Sequence, residues 1–244
     1  MSIWGKIIGG AAGLALGGPL GALIGTAAGH AVDKITSNSE DMPIDEEASK
    51  QKIAFTIGVI VLSAKMAKAD GVVTRDEITA FRKIFHIPEN EIKNVGRVWD
   101  LARKDVAGFE IYANKISKML YSNTKVLEEL LEGLLHIATS DGKYHPAENQ
   151  FIETVAKIFK INRVKLNVLK SRYLPNEIIN PFLILDANPN WDISLIKKKW
   201  KQLVRECHPD KYLIRGLPSE AVVLANNRLL KINEAWEMIK KMKN

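Results

Sequence analysis

A cysteine beside a histidine is the arrangement in this chain that most resembles reactive chemistry. Cys207 is the only cysteine among 244 residues, and His208 follows it directly, so a thiol and an imidazole are neighbours in sequence. Neighbouring residues at the end of a helix do not face each other, and no third group is placed to orient the histidine. The sequence also contains no phosphate-binding loop or cofactor fingerprint. We therefore expect no enzymatic activity and no cofactor.

A repeated acidic motif is the second candidate for chemistry, because carboxylates bind cations. "KADGVVTRDEITAF" at 68–81 matches "TSDGKYHPAENQFI" at 139–152, and each copy has a Glu seven residues after the Asp of an Asp-Gly pair. This spacing is the second half of an EF-hand loop, but the earlier ligand positions hold Met66, Lys68, Ile137 and Thr139, which excludes that geometry. Two interpretations remain open. The motif either caps helices, with Gly71 and Gly142 in the left-handed conformation, or forms a metal site from Asp70, Glu77, Asp141 and Glu148.

The elements that must position these motifs are helices. Apolar residues recur at helical spacing from Ala48 onward. The clearest runs are Phe55, Val59, Leu62 and Met66; Ile111, Ile116, Met119 and Leu120; and Val126, Leu127, Leu130, Leu131, Leu134 and Leu135. Since no stretch alternates at a period of two, we predict an all-α protein.

The repeated helix–Asp-Gly–helix–Glu unit resembles the TerB family of tellurite-resistance proteins over residues 48–172. The resemblance implies a helical domain with a metal-binding or partner-binding role. Residues 35–47, which are acidic and contain Pro43, and residues 173–179 are predicted to be linkers on either side.

Residues 180–244 combine a basic helix, a tight joint and a last helix. Residues 192–244 hold 12 Lys or Arg against 6 Asp or Glu, which indicates an acidic partner for this segment. Pro209 cannot continue a helix, so His208 and Asp210 are presented at the joint. The exposed face of the basic helix is predicted to carry Lys197, Lys198, Lys201 and Arg205.

Two apolar stripes predict that these helices pack as a hairpin. They consist of Ile196, Trp200, Leu203, Val204 and Cys207 on the basic helix, and of Leu229, Ile232, Trp236 and Ile239 on the last one. Phe182, Leu183 and Leu185 are expected to fill one end of this core. Because both tryptophans fall on buried stripes, the helix lacks the exposed aromatic side chains of a nucleic-acid-binding surface.

The segments "IKKKWKQLVRECHPDK" and "LLKINEAWEMI" resemble the J domain of the DnaJ co-chaperone family. "NPFLILDA" resembles its opening Asp-Pro-Tyr-x-x-Leu-Gly, with Phe182 in place of Tyr and Asp186 in place of Gly. The resemblance implies that residues 180–244 bind a DnaK-type chaperone ATPase and accelerate its ATP hydrolysis. The residues implied in partner binding are His208, Pro209, Asp210 and Lys211 at the joint, and Lys197, Lys198, Lys201 and Arg205 on the basic helix.

The N-terminal residues 1–34 have a glycine at every fourth position from Gly5 to Gly29, and no charge between Lys6 and His30. These 23 uncharged residues are long enough to cross a bilayer, so we predict a single-pass membrane anchor. Gly18-Pro19 leaves a short helical hairpin open as an alternative. A glycine stripe lets two membrane helices pack closely, which predicts a homodimer through Gly9, Gly13, Gly17, Gly21 and Gly25.

Together, the three segments resemble membrane-anchored DnaJ-like proteins of Gram-negative bacteria. That resemblance implies an anchor in the bacterial inner membrane and soluble domains in the cytoplasm, where ATP and a DnaK-type partner are found. The alternative function is a membrane scaffold or metal-responsive stress protein that acts through the TerB-like domain.

Overall fold

The computed structural model describes residues 55–56, 58–67, 78–79, 81–82, 89, 92–104, 108–120, 124–174, 180–208, 210–211 and 219–243. Every regular element within these ranges is helical, which confirms the all-α prediction. The predicted glycine-rich anchor and the linker that follows it lie outside them. Among the helices so described, none combines the length and the apolar character needed to cross a membrane.

The helices are α1 (58–67), α2 (Ile92–Lys104), α3 (Phe109–Met119), α4 (Thr124–Ala138), α5 (Pro146–Ile158), α6 (Arg163–Tyr173), α7 (Pro181–Ile184), α8 (Ile193–Glu206) and α9 (Ser219–Lys243). Helical residues also occur at 55–56, 78–79 and 81–82.

Helix α4 lies at the centre of the larger core. It contacts α5, α6 and α9, while α3 packs on α5. The predicted apolar residues of α4 are all buried, as are Phe55, Val59, Leu62 and Met66. A helix surrounded on several sides buries most of its surface, which explains why α4 is apolar over more than one face.

The helix predicted from the apolar spacing of α3 is confirmed, but only some of those apolar residues are buried. Ile116 and Leu120 are buried, whereas Ile111 and Met119 are 49% and 38% exposed. Because α3 packs on the core by the single face that holds Tyr112 and Ile116, apolar residues off that face remain in solvent.

The turn between α4 and α5 confirms the capping chemistry expected of the second acidic motif. Gly142 has φ +81°, the left-handed conformation that glycine adopts without strain. The Lys143 N–H donates to Asp141 Oδ1 at 2.8 Å, and the His145 N–H donates to Glu148 Oε2 at 2.8 Å. Both carboxylates therefore satisfy backbone donors that would otherwise have no partner next to a helix start.

Helices α7, α8 and α9 enclose a second core, formed by Ile184, Leu185, Ile196, Cys207, Ile232, Ala235, Trp236 and Ile239. Trp200 stacks on Trp236 with ring centroids 5.3 Å apart, and its Nε1–H donates to Asn233 Oδ1 at 3.0 Å. The predicted stripe on α8 is buried at Ile196 and Cys207 and half-buried at its other positions. Leu183 was expected in this core but is 39% exposed; Asn180 caps α7 in a register that turns Ile184 inward instead.

Helix α9 belongs to both cores. Leu224 and Ala225, near its start, are buried in the larger core with α4. Ile232, Trp236 and Ile239, further along, are buried in the second core. The last helix of the hairpin is thereby packed against the TerB-like region as well as against α8.

Candidate partner-binding site

The joint after α8 presents a histidine and an aspartate to solvent. Helix α8 ends where the Cys207 N–H donates to the Leu203 carbonyl at 2.9 Å. The side chains of His208 and Asp210 that follow are 53% and 73% exposed. Pro209 lies outside the described residues.

The two exposed side chains form a local turn. The Asp210 N–H donates to His208 Nδ1 at 3.4 Å, and Asp210 Oδ2 lies 3.4 Å from the same nitrogen. The Lys211 N–H donates to the His208 carbonyl at 3.0 Å. This turn holds the Asp210 carboxylate at the tip of the hairpin, where a partner can reach it.

Four cations lie on the exposed face of α8, as predicted: Lys197, Lys198, Lys201 and Arg205. Within the described part of the chain, none of the four takes part in an ion pair. Lys199, on another side of the helix, is paired with Asp186 at 2.8 Å. The outer face of α8 thus offers uncompensated positive charge beside the tip, which favours an acidic partner surface.

Asp186 occupies the position at which the resembled motif has glycine. Its backbone conformation shows why the motif has glycine there. Its φ is +50°, in the left-handed region that glycine adopts most easily and aspartate tolerates. The departure from the motif therefore preserves the turn.

The metal site proposed for the acidic motifs stays a prediction. Asp141 and Glu148 each accept a backbone hydrogen bond, and Asp70 and Glu77 lie outside the described residues. Over the ranges that the structure describes, no group of three or more His, Cys, Asp or Glu residues is arranged to hold a metal ion.

Cys207 is enclosed rather than reactive. It is 4% exposed, and its Sγ lies 3.9 Å from Arg228 Nη1. Burial raises the pKa of the Cys207 thiol, although the charge of Arg228 opposes the effect, so the neutral thiol is favoured at pH 7. This geometry agrees with the rejection of a Cys-His nucleophile.

Sequence reasoning missed a buried charge cluster behind this cysteine. Arg228 on α9 donates Nη1 to Glu129 Oε1 at 2.8 Å and Nη2 to Glu129 Oε2 at 2.6 Å, and it also binds Glu132. Tyr173 Oη donates to Glu132 Oε1 at 3.0 Å, and Arg172 Nη1 lies 3.8 Å from that oxygen. The four charged residues are between 0% and 7% exposed. The signal was present in "VLEELLEGLL", where three glutamates interrupt an otherwise apolar run, and two of them are buried.

Comparison with known protein families identifies the region that forms the larger core. The family model for tellurite resistance protein TerB matches residues 56–171, the region that contains α1 to α6 up to residue 171. The chain is thus a helical protein built on a TerB domain. The model for the co-chaperone DjlA transmembrane domain matches residues 1–52.

Curated relatives align with nearly the whole chain. "Co-chaperone protein DjlA" of Legionella pneumophila is 26% identical and aligns with 97% of this chain and 94% of its own length. The Coxiella burnetii protein of that name is 23% identical over 98% of each chain. The Escherichia coli K12 protein is 23% identical over 100% of this chain and 99% of its own. Over nearly its whole length, the chain is therefore similar to proteins named as DjlA co-chaperones. No solved structure matches it.

Proposed function

We propose that this protein is a membrane-anchored co-chaperone that stimulates ATP hydrolysis by a DnaK-type chaperone. The observation that carries the proposal is the hairpin tip. Asp210 is exposed at the end of a helix whose outer face holds four cations, none of which forms an ion pair with another described residue. The relatives aligned over nearly their full length are named co-chaperones. Residues 180–244, the segment that resembles a J domain, supply the surface that a chaperone ATPase would recognise.

The two parts of the surface have different tasks in this mechanism. The cations of α8 attract an acidic surface of the ATPase, which mainly accelerates association and weakens with salt. Asp210 then competes for cationic contacts within the ATPase, and His208 keeps the turn in shape. The co-chaperone performs no bond chemistry itself, because the coupling changes the rate at which its partner turns over.

The test is a single-turnover ATPase assay with the full chain in detergent micelles and a DnaK-type chaperone. Asp210→Asn and His208→Gln should each remove most of the stimulation. Lys198→Ala should raise the half-maximal concentration and flatten its salt dependence, whereas Lys241→Ala, on the exposed end of α9, should do neither. Stimulation by Asp210→Asn equal to that of the wild type would refute the proposed mechanism.

The N-terminal region anchors this surface at a membrane. We infer a single span in the bacterial inner membrane with the hairpin in the cytoplasm, because DnaK-type ATPases and ATP are found there. The match of residues 1–52 to a transmembrane-domain model supports anchoring. Helix pairing through Gly9, Gly13, Gly17, Gly21 and Gly25 would join two hairpins and increase avidity.

A membrane two-hybrid reporter tests the pairing. Replacing Gly13 and Gly17 together with Leu should abolish the dimer signal, since the side chains would separate the helices. Replacing Ala11 and Ala15 with Leu, on the opposite face, is the matched control and should preserve it. Loss of signal in both double variants, or in neither, would contradict a glycine-mediated dimer.

A further inference from the structure

The start of α9 is seated on the TerB domain by close packing. Gly133 on α4 has no side chain, and a Cβ built there would lie 3.2 Å from Leu224 Cδ1. That distance is shorter than an ordinary van der Waals contact, so a side chain at position 133 would force Leu224 to shift by a few tenths of an ångström. Ala225 is fully buried beside it.

The contact continues into the charge cluster. Arg228 lies one helical turn after Leu224. Its guanidinium donates two hydrogen bonds to Glu129 and also binds Glu132. Both glutamates belong to α4, whereas Arg228 belongs to the hairpin. A bidentate arginine–carboxylate pair fixes direction as well as distance, since the planar fork accepts only one orientation of its partner.

The cluster of Arg228, Glu129 and Glu132 is adjacent to the hairpin tip. Arg228 Nη1 lies 3.9 Å from Cys207 Sγ, and Cys207 directly precedes His208. A cleft of about 90 Å³ beside the cluster is lined by Lys125 and Lys165 of the TerB domain and by Leu203, Glu206 and Cys207 at the end of α8, together with residues of the cluster. The end of α8 therefore faces the TerB domain.

The docked side of α8 is not its cationic side. Glu206 faces the cleft, and its pKa is affected in opposite directions: partial burial raises it, whereas a hydrogen bond from Gln202 and the charges of Lys125 and Lys165 outweigh burial and lower it. Lys197, Lys201 and Arg205 are exposed elsewhere on the helix. Docking on the TerB domain thus leaves the cationic face open.

We propose that Arg228 is a positioning residue, which locks the hairpin on the TerB domain so that the tip and the cationic face of α8 point in one fixed direction. The inference rests on the proposed function, because direction matters only if a chaperone ATPase docks there. For a protein tethered to a membrane, a fixed direction removes orientations in which the partner would meet the bilayer or the TerB domain. The TerB domain then serves as the platform from which the tip is presented.

The single thiol reports docking without any partner. Cys207 belongs to the second core and also contacts Arg228, so in a variant whose hairpin stays folded its labelling rate with a soluble disulfide reagent measures opening of this junction. We expect Arg228→Met, in the full chain in detergent, to keep its helical circular dichroism and to be labelled at least about tenfold faster. Its half-maximal concentration for ATPase stimulation should rise several-fold.

Three further variants separate docking from other effects. Lys231→Met removes a cation from the exposed surface of α9, three residues away, and should leave labelling and stimulation unchanged. Gly133→Val should displace Leu224 without altering any charge, and should act as Arg228→Met does. Arg228→Lys retains the charge but loses the bidentate guanidinium, so Cys207 should be labelled at an intermediate rate. This variant replaces Arg228→Met if Arg228→Met fails to fold.

Each outcome is decisive. Unchanged labelling in a folded Arg228 variant would overturn the lock, and faster labelling with wild-type stimulation would overturn the positioning role. Absence of stimulation by the wild type would instead refute the proposed function, and the labelling rates would still measure docking.

Discussion

Replacing Glu132 by glutamine tests the energetics of the buried cluster. Glu132 is completely buried, accepts the Tyr173 hydroxyl at 3.0 Å and binds Arg228. Burial by itself would raise its pKa, but the charges of Arg228 and Arg172 and the hydrogen bonds to Glu132 outweigh burial and lower it. The carboxylate is therefore ionised at pH 7, and glutamine would leave the two buried cations Arg172 and Arg228 with one buried carboxylate, Glu129.

Removing one member of a buried ion pair costs roughly 3–5 kcal/mol. Because Glu129 still pairs with Arg228 in the variant, we expect the lower end, about 3 kcal/mol. A chain of this size loses about 2–4 °C per kcal/mol, so the melting temperature should fall by roughly 6–12 °C. The assay is thermal unfolding of the full chain in detergent, followed by far-UV circular dichroism.

Glu128→Gln is the matched control. It makes the same substitution on the same helix, but Glu128 forms only a partly exposed pair with Lys165 at 3.1 Å. Such surface pairs contribute about 0–1 kcal/mol. An equal fall in melting temperature in Glu128→Gln and Glu132→Gln would refute the argument that burial makes Glu132 important for stability.

The pH dependence gives a second check on Glu132. A carboxylate whose pKa is lowered in the folded state stabilises the protein fully at pH values above its ordinary pKa of 4.5. This stabilisation is lost as the pH falls through the pKa of the folded state. The difference between wild type and Glu132→Gln should therefore be largest near neutral pH and shrink in acid. A difference that grows in acid would contradict the lowered pKa.

Three further predictions concern stability, each measured by urea unfolding in detergent. Ile196→Ala should cost about 2–5 kcal/mol, because the side chain is fully buried, whereas Leu195→Ala next to it should cost less than about 0.5 kcal/mol; equal costs would contradict the second core. Gly142→Ala should destabilise by about 1 kcal/mol through its φ of +81° alone, since no atom of the described residues lies within 4 Å of the added methyl. Gly96→Ala within α2 should stabilise by a similar amount, and a stabilising Gly142→Ala would exclude the left-handed turn. Tyr144→Phe should be neutral or stabilising, because its buried hydroxyl has no hydrogen-bond partner among the described residues, and a loss above about 1 kcal/mol would indicate one.

The cationic helix and the tip could be predicted because their signals are local. Pro209 ends α8 wherever the chain folds, and four cations at helical spacing share a face once the helix forms. Gly142 was predictable for the same reason, since a left-handed turn residue is specified by its own backbone. The exposure of His208 and Asp210 follows from these local rules.

Burial at the edges of helices could not be predicted in this way. Ile111 and Leu183 fit apolar patterns, yet both are exposed, because a periodic pattern does not state where the neighbouring helix ends. Conversely, Glu129 and Glu132 are buried on α4, and helical periodicity alone does not state which charged residues a fold buries.

The sequence by itself determined the all-α class, the capping turn of the second acidic motif and the composition of the hairpin tip, because helix periodicity, proline and glycine act over a few residues. Only the tertiary structure decided that α9 serves two cores, and that Arg228 meets Glu129 across 99 positions of sequence. Buried charges of opposite sign are stable only when the fold brings them within hydrogen-bond distance, and no local pattern encodes that meeting.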